Sequence, residues 1–408
     1  QLLQSSQPLM IAAVLIGSLA LIPGLPKIPF ILIAAGCAAT SVSTKKTLDQ
    51  KSKKVKTSEA QEDSESSQKA PVEELLNVDM ISVQVGVQLI EMVDPRKKSN
   101  VFERIGALRK KFAKELGIIV PLVRLCDNIN LEPNLYQIKL FDHVIAEGKL
   151  EPSMLLAMDS GIVQSPVEGI PTKEPVYGLP AIWVTKEKKE TAELSGYTVI
   201  DPESVMITHL SETLARHAYE MLTREDVQML VNRLRDSQPS LVGEVVGDLV
   251  PLGLLQKVLQ NLLKDRIPIR NLAQILEALG EHAVKTKSPT LLTELTRKKL
   301  ARTITECHKD SSTGKVMAIT FDPALEHYML NSLQKQGDEL TLGLAPDEAM
   351  GLSNELAQAW RKAMENAYEN VVLLCDSRQR AALSSLTERI LPRLAVLSYD
   401  EIAAGVEI

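Results

Sequence analysis

The 408-residue sequence predicts an α/β multi-subdomain cytoplasmic body, in the order α/β, small α/β insert, helical, α/β, preceded by a transmembrane helical hairpin. Three observations carry that expectation. Two uncharged apolar runs, Leu9 to Ile22 and Ile28 to Val42, open the chain with only Pro23-Gly24-Leu25-Pro26-Lys27 between them. Strand-like alternation and helix-like apolar stripes then follow one another up to about residue 200, and return after Ala301. Between these two regions, from Asp201 to about Leu300, the pattern is helical throughout.

In the opening segment, Pro and Gly fall where one helix should stop and the next begin. Each run is a little short of the ~20 residues that cross a hydrocarbon core, and the flanking Pro8, Leu25 and Pro29 bring them near the lower limit. Lys45, Lys46, Lys51, Lys53, Lys54 and Lys56 follow directly, which puts that end in the cytoplasm. Leu32-Ile33-Ala34-Ala35-Gly36-Cys37 faintly resembles a lipoprotein cleavage box. The absence of a basic n-region and the position of the lysines after the apolar runs are the wrong order for export. Residues 1–44 are therefore expected to anchor, and with no Asp, Glu, His or Arg between Pro8 and Val42 they supply no ionisable groups to a proton path. Residues 45–74 are expected to be a flexible linker, since Thr57 to Lys69 is Ser-, Glu- and Gln-rich and has too little apolar surface to offset its ordering entropy.

Subdomain 1 is expected over 75–150 and 201–221. Ile81, Val83, Val85, Val87 and Leu89 alternate with polar or small residues, which reads as a half-buried strand, and Gly86 within it suggests a bulge or a close backbone contact. Asp94-Pro95 breaks that strand. Val101, Phe102, Ile105, Leu108, Phe112 and Leu116 then keep helical spacing up to Gly117. Ile118 to Leu125 and Leu135 to Leu140 read as strands around the turn-rich Asp127-Asn128.

Residues 151–200 change character, with frequent Gly, Pro and Thr, and are expected to be a small insert (subdomain 2). It holds strands at Ala181 to Val184 and Tyr197 to Ile200 around a charged helix from Lys186 to Leu194. Asp201-Pro202-Glu203-Ser204 is a helix-start signature. Subdomain 3, 222–300, carries the stripe Leu252, Leu255, Val258, Leu259 and Leu262. Pro268 interrupts it before Leu272, Ile275, Leu276 and Leu279. In subdomain 4, 301–408, Val316 to Thr320, Val371 to Leu374 and Ala395 to Leu397 look like core strands. No sequence period recurs, so a solenoid is not expected.

A net charge of −6 and an aromatic content of 3% argue against a nucleic-acid binder, which needs a basic face or stacking aromatics. Cys37, Cys126, Cys307 and Cys375 form no CxxC pair and fit reduced thiols. The chain has no GxxxxGK[ST], no GxGxxG after a strand, no HExxH and no GxSxG. His209 with Glu212 and His217 with Glu220 lie on one predicted helix, but the two pairs are about two turns apart and lack a third ligand. Glu277, Glu281 and His282 read the same way. Cys126-Asp127 and His143 are no better as a thiol nucleophile, since nothing in the sequence brings them within reach. No catalytic residue, metal ligand or cofactor is expected.

Several stretches resemble one family, FHIPEP, the membrane export gate of flagellar and type III secretion systems. They are Leu21-Ile22-Pro23-Gly24-Leu25-Pro26, Glu174-Pro175-Val176-Tyr177-Gly178-Leu179-Pro180-Ala181-Ile182-Trp183 and Val205-Met206-Ile207-Thr208-His209-Leu210. Leu255 to Leu263 with Ile269-Arg270-Asn271-Leu272, Phe321-Asp322-Pro323-Ala324-Leu325-Glu326 and Val396-Leu397-Ser398-Tyr399-Asp400-Glu401-Ile402 complete the set. The resemblance is collinear and covers nearly the whole chain. Family members have further membrane helices upstream, so the chain resembles a piece carrying the last two helices and the cytoplasmic half.

The resemblance implies a protein of the bacterial inner membrane whose cytoplasmic body assembles into a homo-oligomeric, nonameric ring. That ring docks exported proteins and secretion chaperones beside other export-apparatus proteins, without enzymatic activity. It leaves flagellar and injectisome membership open. The alternative is a membrane-tethered scaffold or receptor unrelated to secretion.

The resemblance also implies a docking site of Glu174, Pro175, Tyr177, Gly178 and Thr208. The acid-x-x-aromatic motif falls on Glu174 and Tyr177, with Glu where Asp is usual and Tyr where Phe is usual. Gly169, Pro171, Pro175, Gly178 and Pro180 mark a turn-rich segment, and a stiffened loop loses little entropy when its aromatic is bound. Trp183 sits in an expected strand, where burial is normal. The linker end Val72-Glu73-Glu74-Leu75-Leu76 is expected to lie in a neighbouring subunit's groove.

Overall fold

The computed structural model describes residues 78–408 apart from 95–99, 160, 162, 164, 311–312, 337–338 and 366–369. The expected hairpin, the linker and its apolar end at 72–76 lie outside the described residues. Among the described residues no helix is long and apolar enough to cross a membrane. The chain divides into units Gln1–Val78 and Asp79–Ile408, and the elements that follow belong to the second, an α/β multi-domain body.

The first sheet runs β2-β1-β3-β4, from strands β1 (Ile81–Val85), β2 (Val123–Asp127), β3 (Leu135–Leu140) and β4 (His143–Lys149). β1 is parallel to β2 and antiparallel to β3. The alternation predicted a strand through Leu89, but the strand stops at Val85 and the chain coils through a 3-10 turn (Val87–Leu89) into a short helix, α1 (Ile90–Val93). Gly86 marks the change. A Cβ there would overlap the backbone of Glu132 and Pro133, and its N–H donates to the Leu135 carbonyl at 2.8 Å.

Helix α2 (Val101–Glu115) buries Val101, Ile105, Leu108 and Phe112. Phe102, expected in that stripe, is exposed because it stands one residue, about 100°, round the helix from Val101. Gly117 ends α2 at φ +82°, with its N–H donating to the Phe112 carbonyl. The run from Ile118 was expected to be strand throughout and pairs only from Val123. Pro121 has no N–H to give a ladder, and Ile118 and Val120 reach the core from irregular backbone instead.

A second sheet, β6-β7-β5-β8, is antiparallel throughout. Its strands are β5 (Leu155–Asp159), β6 (Ile170–Lys173), β7 (Pro180–Val184) and β8 (Tyr197–Ile200), with helix α3 (Lys189–Leu194) packed on β8. β5 and β6 carry no clear sequence signal, both being short and β6 holding Pro171.

Helices follow: α4 (Pro202–Arg216), α5 (Ala218–Met221), α6 (Arg224–Ser237), α7 (Pro239–Val245), α8 (Leu252–Lys264), α9 (Leu272–His282), α10 (Pro289–Lys299) and α11 (Ala301–His308). Asp201 caps α4 by accepting the Ser204 N–H at 2.8 Å. A capping box between Thr223 and Asp226 starts α6. The α8 stripe, Leu255, Val258, Leu259 and Leu262, is wholly enclosed. The helical run continues past Leu300 because Ile304 and Thr305 of α11 are buried in turn.

The last sheet, β13-β12-β9, is parallel. It consists of β9 (Ala318–Thr320), β12 (Val372–Cys375) and β13 (Ala395–Ser398). Between β9 and β12 come α12 (Pro323–Asn331), a hairpin of β10 (Leu333–Gln336) and β11 (Glu339–Leu342), and α13 (Pro346–Glu365). Helix α14 (Arg380–Thr387) precedes β13. β12 is buried at every residue, as the central strand of a parallel sheet requires.

A buried ionic cluster ties the last sheet to the helices. Arg297 of α10, 1% exposed, donates to both carboxylate oxygens of Glu401 at 2.6 and 2.8 Å and to Asp265 at 2.6 Å. Arg380 of α14 donates to Glu294 and, at 3.1 Å, to the same Asp265. Glu401 also caps the 3-10 turn after β13 by accepting the Ser398 N–H. The Ser398 to Ile402 motif thus serves as the C-terminal half of an interlock.

Candidate docking site

The β6–β7 hairpin closes through residues 174–179. The Glu174 N–H donates to the Leu179 carbonyl and the Gly178 N–H to the Glu174 carbonyl, both at 2.9 Å. Gly178 stands at φ +69°, a left-handed conformation that glycine takes without steric cost. Pro175 fixes the backbone at the second position. Glu174 is 5% exposed, and its two carboxylate oxygens accept the N–H groups of Val176 at 2.7 Å and Tyr177 at 2.5 Å.

The acid therefore staples the turn from within and offers no charge to solvent. Val176 points inward, whereas Tyr177 is 58% exposed. Trp183, in β7, is buried in the main core, where strand burial predicts it.

Behind the turn is a buried polar pair. Tyr136 of β3 and His209 of α4 share a 2.8 Å hydrogen bond between Oη and Nδ1, with their rings edge-on. Gly148 of β4 leaves room for the phenol, since a Cβ there would come within 2.6 Å of Oη. Burial pushes the Tyr136 hydroxyl up, and the Glu174 carboxylate adds to that push. Burial also holds the His209 imidazole down at about 4, with the charge of Arg216 acting the same way, so the ring is neutral near pH 7.

Thr208, the residue before His209, is exposed on the outer side of α4. Among the described residues no hydrogen bond joins Thr208 to the turn. The link is indirect, from Glu174 past Tyr136 to His209 and so to α4. The other members of the His-Glu cluster are engaged elsewhere: Glu212 with Arg266 and Arg216, and His217 with Glu220 at 2.8 Å.

One contributor has no sequence signal. Arg393, just before β13, donates from Nη2 to the Val176 carbonyl and holds its guanidinium carbon 4.5 Å from the centroid of the Tyr177 ring. It also lines a cleft of about 660 Å³, together with Arg216, Tyr219, Lys264 and Trp360. Nothing local in Leu391-Pro392-Arg393 points to a turn so far back in the chain.

The FHIPEP family model matches residues 1–407. The flagellar biosynthesis protein FlhA of Proteus mirabilis is 35% identical over 419 residues, covering 100% of this chain. FlhA of Bacillus subtilis (strain 168) is 37% identical over 338 residues, covering 83%. The chain spans 58% and 50% of the lengths of these two relatives. The Chlamydia pneumoniae CdsV protein superposes with a TM-score of 0.69 at 26% identity, over 81% of this chain and 96% of that one. Nonameric EPEC SctV-C shares the fold, with a TM-score of 0.64 at 19% identity over 81% of this chain and 97% of that one. Agreement with the family model along nearly every residue, and with relatives at this identity, means that the chain belongs to the FHIPEP family.

Proposed function

We propose that the chain is the export-gate component of a flagellar or type III protein secretion apparatus. In this reading its body docks exported proteins and chaperone–substrate complexes by shape, without turnover. The observation that carries this is the β6–β7 turn. Its acid is spent on holding the loop, and its aromatic, Tyr177, is left presented to solvent. A loop ordered before binding gives up little entropy on binding, so one aromatic anchor can contribute strongly. The titratable groups behind the turn are engaged with one another, which suits a support more than a reaction centre.

The wider assignments rest on family membership. Residues 1–44 serve as the hairpin anchor in the bacterial inner membrane, and 45–74 as the linker to a cytoplasmic body. That body has subdomain 1 at 75–150 and 201–221, the insert at 151–200, a helical subdomain at 222–300 and the last at 301–408. The antiparallel sheet within Leu155–Ile200, with a small core of its own around Ala157, Val184 and Ala192, supports treating the insert as a separate unit. Assembly into a ring is supported by the nonameric EPEC SctV-C, and partnership with other export proteins by the CdsV and CdsO complex of Chlamydia pneumoniae.

The test is calorimetry of the intact chain with a purified secretion chaperone–substrate complex. Tyr177→Ala should weaken binding by ~1–3 kcal/mol with the fold retained. Unchanged affinity in a folded variant rules the reading out.

A further inference from the structure

We infer that Arg393 is the second half of the Tyr177 docking site, and that the segment received there carries a carboxylate beside its apolar anchor. This rests on the docking reading of Tyr177 and adds a charge requirement to it.

Three features of Arg393 lead there. It is half-buried, yet no carboxylate among the described residues lies within ion-pair distance of it. By contrast, Arg297 and Arg380, on the neighbouring α10 and α14, each hold two carboxylates. A cation removed from part of its water and left without a counter-ion is costly unless something supplies one. Second, its pose is fixed. One N–H is committed to the Val176 carbonyl, and the guanidinium carbon stands over the Tyr177 ring, 4.5 Å from its centroid. A guanidinium carries five N–H donors, so the one spent on Val176 leaves others to form the fork that matches a carboxylate. Third, Tyr177 remains 58% exposed with Arg393 in place, so the ring still offers a surface to an incoming apolar side chain. A segment seated on that surface lays its adjoining residues against the edge of the guanidinium. An Asp or Glu there closes a charge-assisted pair.

The same contact explains how residues 217 positions apart share one site. Glu174 holds the turn, the turn holds Tyr177, and Arg393 from the last subdomain covers one face of the ring and brings the charge.

The test uses the intact chain in lipid nanodiscs and a purified secretion chaperone–substrate complex as probe. Arg393→Ala should weaken binding about tenfold and flatten its dependence on salt. Arg393→Lys keeps the charge but loses the planar fork, and should recover only part of the loss. Single Asp→Asn and Glu→Gln changes across the probe should include one that weakens wild-type binding by the same factor and does not weaken Arg393→Ala further. If Arg393→Ala does not fold, Arg393→Lys and the changes on the probe carry the same test. Unchanged or tighter binding by a folded Arg393→Ala overturns the inference, tighter binding meaning that the guanidinium only covers Tyr177. If Tyr177→Ala weakens binding while the Arg393 variants do not, the docking reading stands and this inference fails. If Tyr177→Ala has no effect, both fail.

Discussion

Tyr136 and His209 meet at 2.8 Å in the interior, joining the first sheet to helix α4 directly behind the turn that presents Tyr177. Their bond gives the phenol a partner that burial would otherwise deny it, and it fixes the rotation of α4 against β3. Because burial holds the imidazole neutral near pH 7, protonation acts against this joint.

Acid should loosen the body. The folded-state value of His209, about 4, lies below the ordinary 6.5, so the unfolded chain takes up the proton first as pH falls. The stability this group contributes is complete above pH 6.5 and declines from there towards pH 4, by up to about 1.4 kcal/mol per pH unit. His308, also held at about 4 by burial and by Arg297, acts in the same direction. Urea midpoints measured at pH 7.5, 6 and 5 should fall, and His209→Gln should fall less steeply than wild type. Parallel profiles for the two proteins would contradict the assignment.

Glu174 acts through the turn. Glu174→Ala leaves the N–H groups of Val176 and Tyr177 without acceptors, a loss of about 1–3 kcal/mol of local order. Hydrogen exchange at the Val176 and Tyr177 amides should rise, and docking should weaken with it. Docking lost with amide protection intact would mean that the carboxylate touches the partner itself.

The interlock at Glu401 should dominate stability. Glu401→Ala takes its two-oxygen partner from the buried Arg297, leaving it to share Asp265 with Arg380, and should cost ~3–5 kcal/mol, read from denaturation midpoints. Added salt should change the wild-type midpoint little, since buried pairs are poorly screened. A cost below ~1 kcal/mol would place the guanidinium in contact with water after all.

Two glycines should respond with opposite signs. Gly86→Ala drives a methyl into the Glu132 and Pro133 backbone and should destabilise by more than ~3 kcal/mol. Gly106 lies within α2 with open space around its Cβ position, so Gly106→Ala should stabilise by ~0.5–1 kcal/mol through helix propensity. Thermal melts of the two variants check both.

The elements were readable to the degree that their signals are local. The α2 and α8 stripes, the Asp201 cap and the apolar runs of β12 and β13 follow from residues within a turn or two of each other, and the chain folds there as its spacing demands. At Val87 the Glu132 and Pro133 backbone ends a strand whose spacing runs on, and after Ile118 the missing Pro121 N–H delays pairing until Val123. Edge strands such as β4 and the shorter β6 have exposed faces and leave little pattern to read.

The turn itself is legible from Glu174, Pro175 and Gly178, because proline fixes φ and glycine admits the left-handed turn position wherever they stand. Which way Glu174 faced was not, since a carboxylate satisfies its charge equally well with water or with two backbone N–H groups until packing removes the water. Nor did any spacing bring Tyr136 to His209, Arg297 to Glu401, or Arg393 to Tyr177. Those pairs form only when long loops close, and loop closure leaves no period in a sequence. The chain's order of residues settled where it coils, extends and turns. The closed body decided which turned segments face one another, because only there do desolvation and contact select among partners that are chemically alike.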